Sequence, residues 1–335
     1  MREVAELNGD GIAAELRDAI HVLNEALGSP VAFRAVDWSL ERRERDAASF
    51  DEAVELTTAL GAAIKYPTVT QTASPNQVLR DRLDLAVIHR PARTYPGVSK
   101  NYAGEIDLHI VRVATGGTYE DAGRRIGHHS AVSIRVMERL PVEHAAHFAF
   151  RLAERHRHSV VSTSKYTIQR AADGLFEDVV DEVSAEYRNT AHSRELFDSL
   201  LAKLILRPER YDVIVTPNEY GDFLSDMVYG LIESIGLGAS ASYAFSASHQ
   251  PTVGVFDPAG GTAPDIAGKG IANPSGAIEA FGYLLEYCGH FDMSRRLVSA
   301  VRDAIGDGDC TRDLGGNLDT LQFTQAVIRR TTDGL

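Results

Sequence analysis

Cysteine is nearly absent from this chain: only Cys288 and Cys310 occur in 335 residues. They form no CxxC pair, so neither a disulfide framework nor a cysteine zinc site organises the fold. A reducing, cytoplasmic setting is expected. Long apolar runs are missing as well, and no stretch reaches the roughly 18 residues that a membrane-spanning helix needs. The opening MREVAELNGDG lacks the apolar core of a secretory signal, so none is expected there. Positive charge is in deficit, with 34 Lys+Arg against 47 Asp+Glu and a net charge of −13. That balance argues against a general nucleic-acid or anionic-membrane binder, because both require a basic face. Any anionic ligand must then be held by a few placed cations. Internal repeats and low-complexity tracts are also lacking.

What remains is an ordinary globular mixture, 44% apolar and 24% charged, long enough for two lobes. Strand and helix patterns alternate, which predicts an α/β fold. Strands are expected at 4–7, 62–66, 85–89, 106–113, 131–137 and 211–216. Helices are expected at 12–27, 142–157, 176–187, 195–206, 222–235, 275–287, 293–305 and 318–330. No clean linker stands out; 91–104 is the loop-richest stretch and 236–238 a second candidate hinge.

Among residues suited to chemistry, the clearest pattern is Asp222-Phe-Leu-Ser-Asp226 after the buried strand YDVIVT. On a helix, acids at i and i+4 share one face and repel unless a cation joins them. Oxygen ligands suit Mg²⁺ or Mn²⁺. Two solvated acids at a helix N-terminus are the plainer alternative. Arg80, Arg90 and Arg112 form a second group; Arg90 and Arg112 close strands that are otherwise apolar. Such arginines either grip a carboxylate with two parallel hydrogen bonds or serve structural ion pairs. Lys165 follows the strand-like SVVS, and Tyr119 follows two glycines in TGGTYED. Lysine suits a proton acceptor and tyrosine a proton donor, although a surface lysine and a half-buried tyrosine are the simpler readings of each alone. Gly9–Ile12 (GDGI) joins a strand to a helix without being GxGxxG. The glycine-rich run Gly260–Gly270 ends before a helix, as nucleotide-approaching loops do, and its Asp265 suits ribose hydroxyls. His144 and His147 share a helix face, but nothing nearby completes a zinc site, so they read as ordinary histidines.

Taken in order, GDGI at Gly9, SPNQVLR at Ser74, LRPERYDVIVTPNEYGDFLSD at Leu206, GTAPDIAGKGIANP at Gly261 and DLGG at Asp313 resemble the β-decarboxylating dehydrogenases. That family contains isocitrate, 3-isopropylmalate, homoisocitrate and tartrate dehydrogenases. The resemblance runs from Gly9 to about Ile328 and is nearest to the isocitrate-type members. It implies an isopropylmalate dehydrogenase-like α/β fold, not Rossmann, with the active site between two lobes. The expected division is 1–84 plus 236–335 for the large cofactor-binding lobe and 85–235 for the small lobe with the dimer interface. A homodimer with shared sites is implied. Asp222 and Asp226, with Asp198 contributed across the dimer, match the Mg²⁺ or Mn²⁺ ligands. Asp198 stands fourteen residues before Asp212, the family's spacing. Arg80, Arg90 and Arg112 match the carboxylate-binding arginines, Tyr119 the catalytic tyrosine, and Lys165 the catalytic lysine from the partner subunit. Gly261, Thr262 and Ala263 fall in the cofactor loop. Asp265 and Ile266 match the pair typical of NAD-using members, and Asn273 the adenine contact.

The implied reaction is NAD-dependent oxidation of a 2-hydroxy acid at C2, loss of its C3 carboxylate as CO₂, and protonation at C3. Ser74 and Asn76 stand where isocitrate-using members hydrogen-bond the extra carboxylate, whereas leucine-pathway members present an apolar residue at the position of Asn76. A polar site rejects an isopropyl group because its own donors lose their partners. The chain also departs from the family. The stretch 65–74 is short, Gly260 replaces a histidine, Val113-Ala114 replaces a Glu-containing pair, and Tyr166-Thr167 is unusual. These changes keep homoisocitrate, 3-isopropylmalate or a phosphonate analogue open as substrates in a specialised pathway. A non-catalytic regulatory subunit is the competing reading.

Overall fold

The computed structural model describes residues 1–71, 74–98, 102, 104–156, 159–232 and 237–332. Its strands are β1 (Arg2–Asn8), β2 (Val31–Asp37), β3 (Ala62–Lys65), β4 (Val87–Arg93), β5 (Asp107–Val113), β6 (Arg124–Ile126), β7 (Ser130–Val132), β8 (Val160–Ser164), β9 (His192–Leu196), β10 (Val213–Thr216), β11 (Ala239–Phe245) and β12 (Pro251–Pro258). Ten of these form one sheet in the order β2-β1-β3-β12-β11-β4-β5-β10-β8-β9. The two outer quartets are parallel, and β11 and β4 join them through antiparallel pairings. Nearly continuous apolar strands such as VIVT in β10 are what a sheet covered on both faces requires. The α/β expectation is met.

The helices are α1 (Ala13–Ala26), α2 (Leu40–Arg45), α3 (Ala48–Leu60), α4 (Pro75–Arg82), α5 (Arg139–His156), α6 (Ala172–Ser184), α7 (Phe197–Leu206), α8 (Asn218–Leu231), α9 (Ser275–Tyr287), α10 (Phe291–Gly306) and α11 (Thr320–Thr332). Apolar side chains of α1, α9, α10 and α11 bury against β1, β3, β11 and β12 in one core. A separate core joins α5 and α6 to β5, β8 and β10. None of the described helices is long and apolar enough to cross a membrane.

Several boundaries differ from the sequence reading. The segment expected as helix 195–206 begins as strand β9, which pairs with β8 through Ser164↔Leu196 before α7 starts at Phe197. The expected strand 131–137 shrinks to Ser130–Val132, half of an exposed two-stranded ribbon with β6. Arg90 lies in the middle of β4 rather than at its end, and the strand takes in the start of the loop-rich 91–104 stretch. Residues 99–101 and 103 of that stretch, 157 of the expected helix 142–157, 233–235 of the expected helix 222–235 and Gly236 of the second hinge lie outside the described residues.

The paired histidines on α5 do not gather a metal site; among the described residues no group of three metal-ligating side chains does. Instead His144 Nδ1 hydrogen-bonds His249 Nδ1 at 2.9 Å, and His147 Nδ1 meets the Tyr187 hydroxyl at 2.9 Å. Burial, reinforced by the neighbouring His249, pushes His144 from the ordinary 6.5 down to about 4. The folded chain therefore prefers neutral His144, and this contribution is complete above pH 6.5 and fades as pH falls toward 4. We expect Tm to drop by roughly 2–3 °C between pH 7 and pH 5 and H144Q to flatten that slope, as read by calorimetry. An unchanged slope in H144Q would assign the acid sensitivity elsewhere.

Candidate active site

The site is built around Asp222. The sequence reading started its helix there, but α8 begins four residues earlier at Asn218, so Asp222 and Asp226 sit in the second and third turns. They are not the N-terminal acids of that helix; Glu219 is. Gly221 lets α8 lie against β5, since a Cβ there would fall 2.7 Å from Arg112 Cβ and Cγ.

Arg112 NH1 donates to Asp222 Oδ1, Arg90 NH1 approaches the same oxygen at 3.3 Å, and the Tyr119 hydroxyl donates to Oδ2 at 3.2 Å. Arg90 also donates to Ser225 Oγ at 2.6 Å and lies 3.9 Å from Asp226. Burial alone would raise the Asp222 carboxyl, but Arg112 and Arg90 beside it outweigh that and hold it below the ordinary range. Burial brings Arg112 down to about 10, and repulsion from Arg90 and Arg80 adds to the effect, against the attraction of Asp222. Arg80 is lowered for the same reasons, burial first and Arg90 second. Three crowded guanidiniums that share the half-buried countercharge of Asp222 are poised to accept carboxylates. Burial and the nearby Asp222 raise the Tyr119 phenol, which keeps its proton available at neutral pH.

Beside this cluster lies a cleft of about 470 Å³. Asn76 and Arg80 of α4, Arg90 of β4, Asp226 of α8 and Gly261 line it, as does Gly260. Ile88 and Arg90 of β4 and Ser240 and Ser242 of β11 face it, while the alternate residues His89 and Tyr243 face a second cavity. Ser74 does not line the cleft; its hydroxyl caps α4 by accepting from Gln77 N at 3.4 Å. Sequence reasoning missed Lys65 and Asp257, which end β3 and β12 in the cleft wall, 3.7 Å apart. Burial lowers Lys65 and raises Asp257, and their mutual attraction opposes both shifts. The signal for Lys65 was available: a cation closing an apolar strand, as for Arg112.

A neighbouring cavity of about 410 Å³ shares Pro67, Pro258, Gly260 and Gly261 with the cleft. Ile12, Leu16, Ala263, Ile266 and Ile271 make it apolar, and Asn273, which donates to Asp313 at 2.9 Å, supplies a polar edge. The GDGI motif holds this region together. Asp10 accepts from Leu40 N and Val69 N and pairs with Arg43, while Ile12 N donates to Thr262 O at 3.0 Å. Asp265 lies exposed on the turn and lines neither cavity.

Lys165 and Asp198 form an ion pair with each other rather than with Asp222, and the pairing lowers the Asp198 carboxyl. They are the two residues that the sequence resemblance assigns to a partner's site.

A family model for isocitrate/isopropylmalate dehydrogenase matches residues 3–327. The chain belongs to that family. It is 37% identical over 331 residues to the isocitrate/homoisocitrate dehydrogenase of Thermus thermophilus, with 96% of each chain covered. It is 32% identical to the 3-isopropylmalate dehydrogenase of Archaeoglobus fulgidus, with 98% of each covered. The crystal structure of isocitrate dehydrogenase from Methylococcus capsulatus superposes with a TM-score of 0.85 at 31% identity, covering 99% of both chains. The two-lobed isopropylmalate dehydrogenase-like fold is therefore that of this chain.

Proposed function

We propose that this chain is an NAD- and divalent-metal-dependent dehydrogenase that oxidatively decarboxylates an isocitrate-like 2-hydroxy acid. The observation that carries the reading is the convergence of Arg90, Arg112 and Tyr119 on Asp222, beside a cleft that Arg80 and Asn76 also line. Asp222 and the largely exposed Asp226 offer hard oxygen donors at i and i+4, which suit Mg²⁺ or Mn²⁺. One described chain brings no third acid to them, so Asp198 of the partner subunit would complete the set. The cation would supply Lewis acidity at the C2 oxygen, and bound NAD a hydride acceptor. Arg80, Arg90 and Arg112 hold the substrate carboxylates. Lys165 of the partner subunit takes the hydroxyl proton. Tyr119 gives a proton to C3 after CO₂ leaves.

Gly261, Thr262, Ala263, Ile266 and Asn273 form the cofactor side, with Asp265 the acceptor for the ribose hydroxyls. The homodimer is supported by Ile126, Val132 and Ile134, apolar and exposed at 53%, 41% and 63% in and just beyond the β6–β7 ribbon. We assign 1–84 plus 236–335 to the cofactor lobe and 85–235 to the small lobe, in line with the separate cores around α9 and α5.

Asn76 and Lys65 make the cleft wall polar; Lys65 is already paired with Asp257, but an isopropyl group against Asn76 would leave its amide without a partner. Cofactor reduction is to be followed with Mn²⁺ and either NAD or NADP on isocitrate, homoisocitrate, 3-isopropylmalate, malate, tartrate and a phosphonate analogue of isocitrate. We expect NAD to be preferred and an acid with an anionic arm to exceed 3-isopropylmalate at least about 100-fold in kcat/KM. Best turnover of 3-isopropylmalate would refute the polar-arm assignment. Silence on every acid, with no Mn²⁺ uptake by calorimetry, would favour a regulatory subunit.

A further inference from the structure

Glu219 is a buried acid that the proposed reaction does not use. Its side chain is 5% exposed, in the first turn of α8. Oε1 accepts from Thr118 N at 3.3 Å and pairs with Arg135, while Oε2 has no hydrogen-bond partner among the described residues. The carboxylate occupies the space where a side chain on Gly117 would stand; a Cβ there would fall 2.0 Å from Oε2. Gly117 has φ +71, so glycine suits this turn twice over.

The neighbouring contacts tighten the same turn. Asn218 Nδ2 donates to Gly116 O at 3.0 Å, and its Oδ1 accepts from Arg112 Nε at 2.9 Å. Gly117 and Val136 exchange backbone hydrogen bonds at 2.7 and 3.1 Å. Beyond Glu219, Arg135 donates to Asp173 Oδ1 at 3.0 and 2.7 Å, and Asp173 Oδ2 accepts from Lys165 N at 2.8 Å. One buried cluster thus grips the turn before Tyr119 at one end and the backbone of Lys165 at the other.

We infer that Glu219 is a positioning residue: through Thr118 N it fixes the turn that sets the Tyr119 hydroxyl over Asp222, and Arg135 and Asp173 extend the hold to Lys165. This rests on the roles proposed above for Tyr119 and Lys165. A purely structural acid would behave differently, because the cluster carries two acids against one arginine. Glu219→Leu leaves Arg135 and Asp173 as a balanced pair and fills the space with apolar atoms, which buried ion clusters tolerate well.

The test compares E219L and E219Q with the unaltered dimer. E219L is expected to keep or raise Tm, yet to lose about 10- to 100-fold in kcat with KM changed less than about threefold, because the donor is misplaced and binding is not. E219Q keeps an acceptor oxygen for Thr118 N and should recover most of that loss. Amide exchange by mass spectrometry over residues 115–120 should accelerate in E219L and stay near the unaltered rate in E219Q. The exchange readout needs no substrate, so it judges the hold on the turn even if the proposed reaction fails. Unchanged exchange in E219L overturns the inference. So does full activity in E219L, or a Tm loss in both variants that accounts for their lost kcat.

Discussion

Asp222→Asn is expected to lower kcat/KM at least about a thousandfold, since one substitution removes a proposed cation ligand and the countercharge of two arginines. The effect should have two separable parts. Calorimetry should show Mn²⁺ uptake lost, as one of the two anionic ligands at i and i+4 becomes a neutral amide. Stability should fall by about 3 kcal/mol, because Arg112, whose side chain is 3% exposed, is left without its ionic partner. Asp226→Asn separates the parts. Asp226 is 80% exposed, with one arginine at 3.9 Å, so its loss should abolish Mn²⁺ uptake while leaving Tm nearly unmoved. If Asp222→Asn retained Mn²⁺ binding and turnover, the proposed metal site would be wrong.

Gly11→Ala carries the second large effect, and it is structural. Gly11 has φ +61, and a Cβ there would meet Thr262 O at 1.9 Å, an atom of rigid backbone. The contact matters because Ile12 N donates to that same oxygen, and Ile12 lines the apolar cavity proposed for the cofactor. We expect a loss of about 3 kcal/mol or more from strain and overpacking, seen as a Tm lower by at least about 4 °C. The KM for NAD should rise more than that for the hydroxy acid. Equal rises in both, or an unmoved Tm, would show that GDGI does not brace the cofactor loop.

Legibility in the sequence followed the physics of each element. Strands such as Val213–Thr216 and helices such as Ser275–Tyr287 are readable because extensive burial leaves few polar residues in them. β11 went unread. Its Ser240 and Ser242 are polar because they face the cleft, so ASASYAF shows no apolar run. α4 was missed because PNQVLRDR buries only Pro75 and Leu79 and spends the rest on solvent and the cleft. The end of β9, Glu195 and Leu196, falls within the helix expected at 195–206 because HSREL sits at the sheet edge, and only its pairing with β8 identifies it.

The candidate site divides in the same way. Residue type and local spacing alone marked Asp222 and Asp226 as one face of a helix, marked Arg80, Arg90 and Arg112 as candidate carboxylate holders, and with the other motifs pointed to the family. Such signals are local or carried by ordered motifs, and they survive without knowledge of the fold. Sheet order decided the rest. It put Arg112 and Asp222, 110 residues apart, in contact by pairing β5 with β10. It left Lys165 and Asp198 paired with each other rather than with Asp222, and it buried Glu219 against the turn at Thr118, 101 residues earlier. A side chain's partner across such a separation depends on which strands adjoin and at what register, and no local periodicity encodes that.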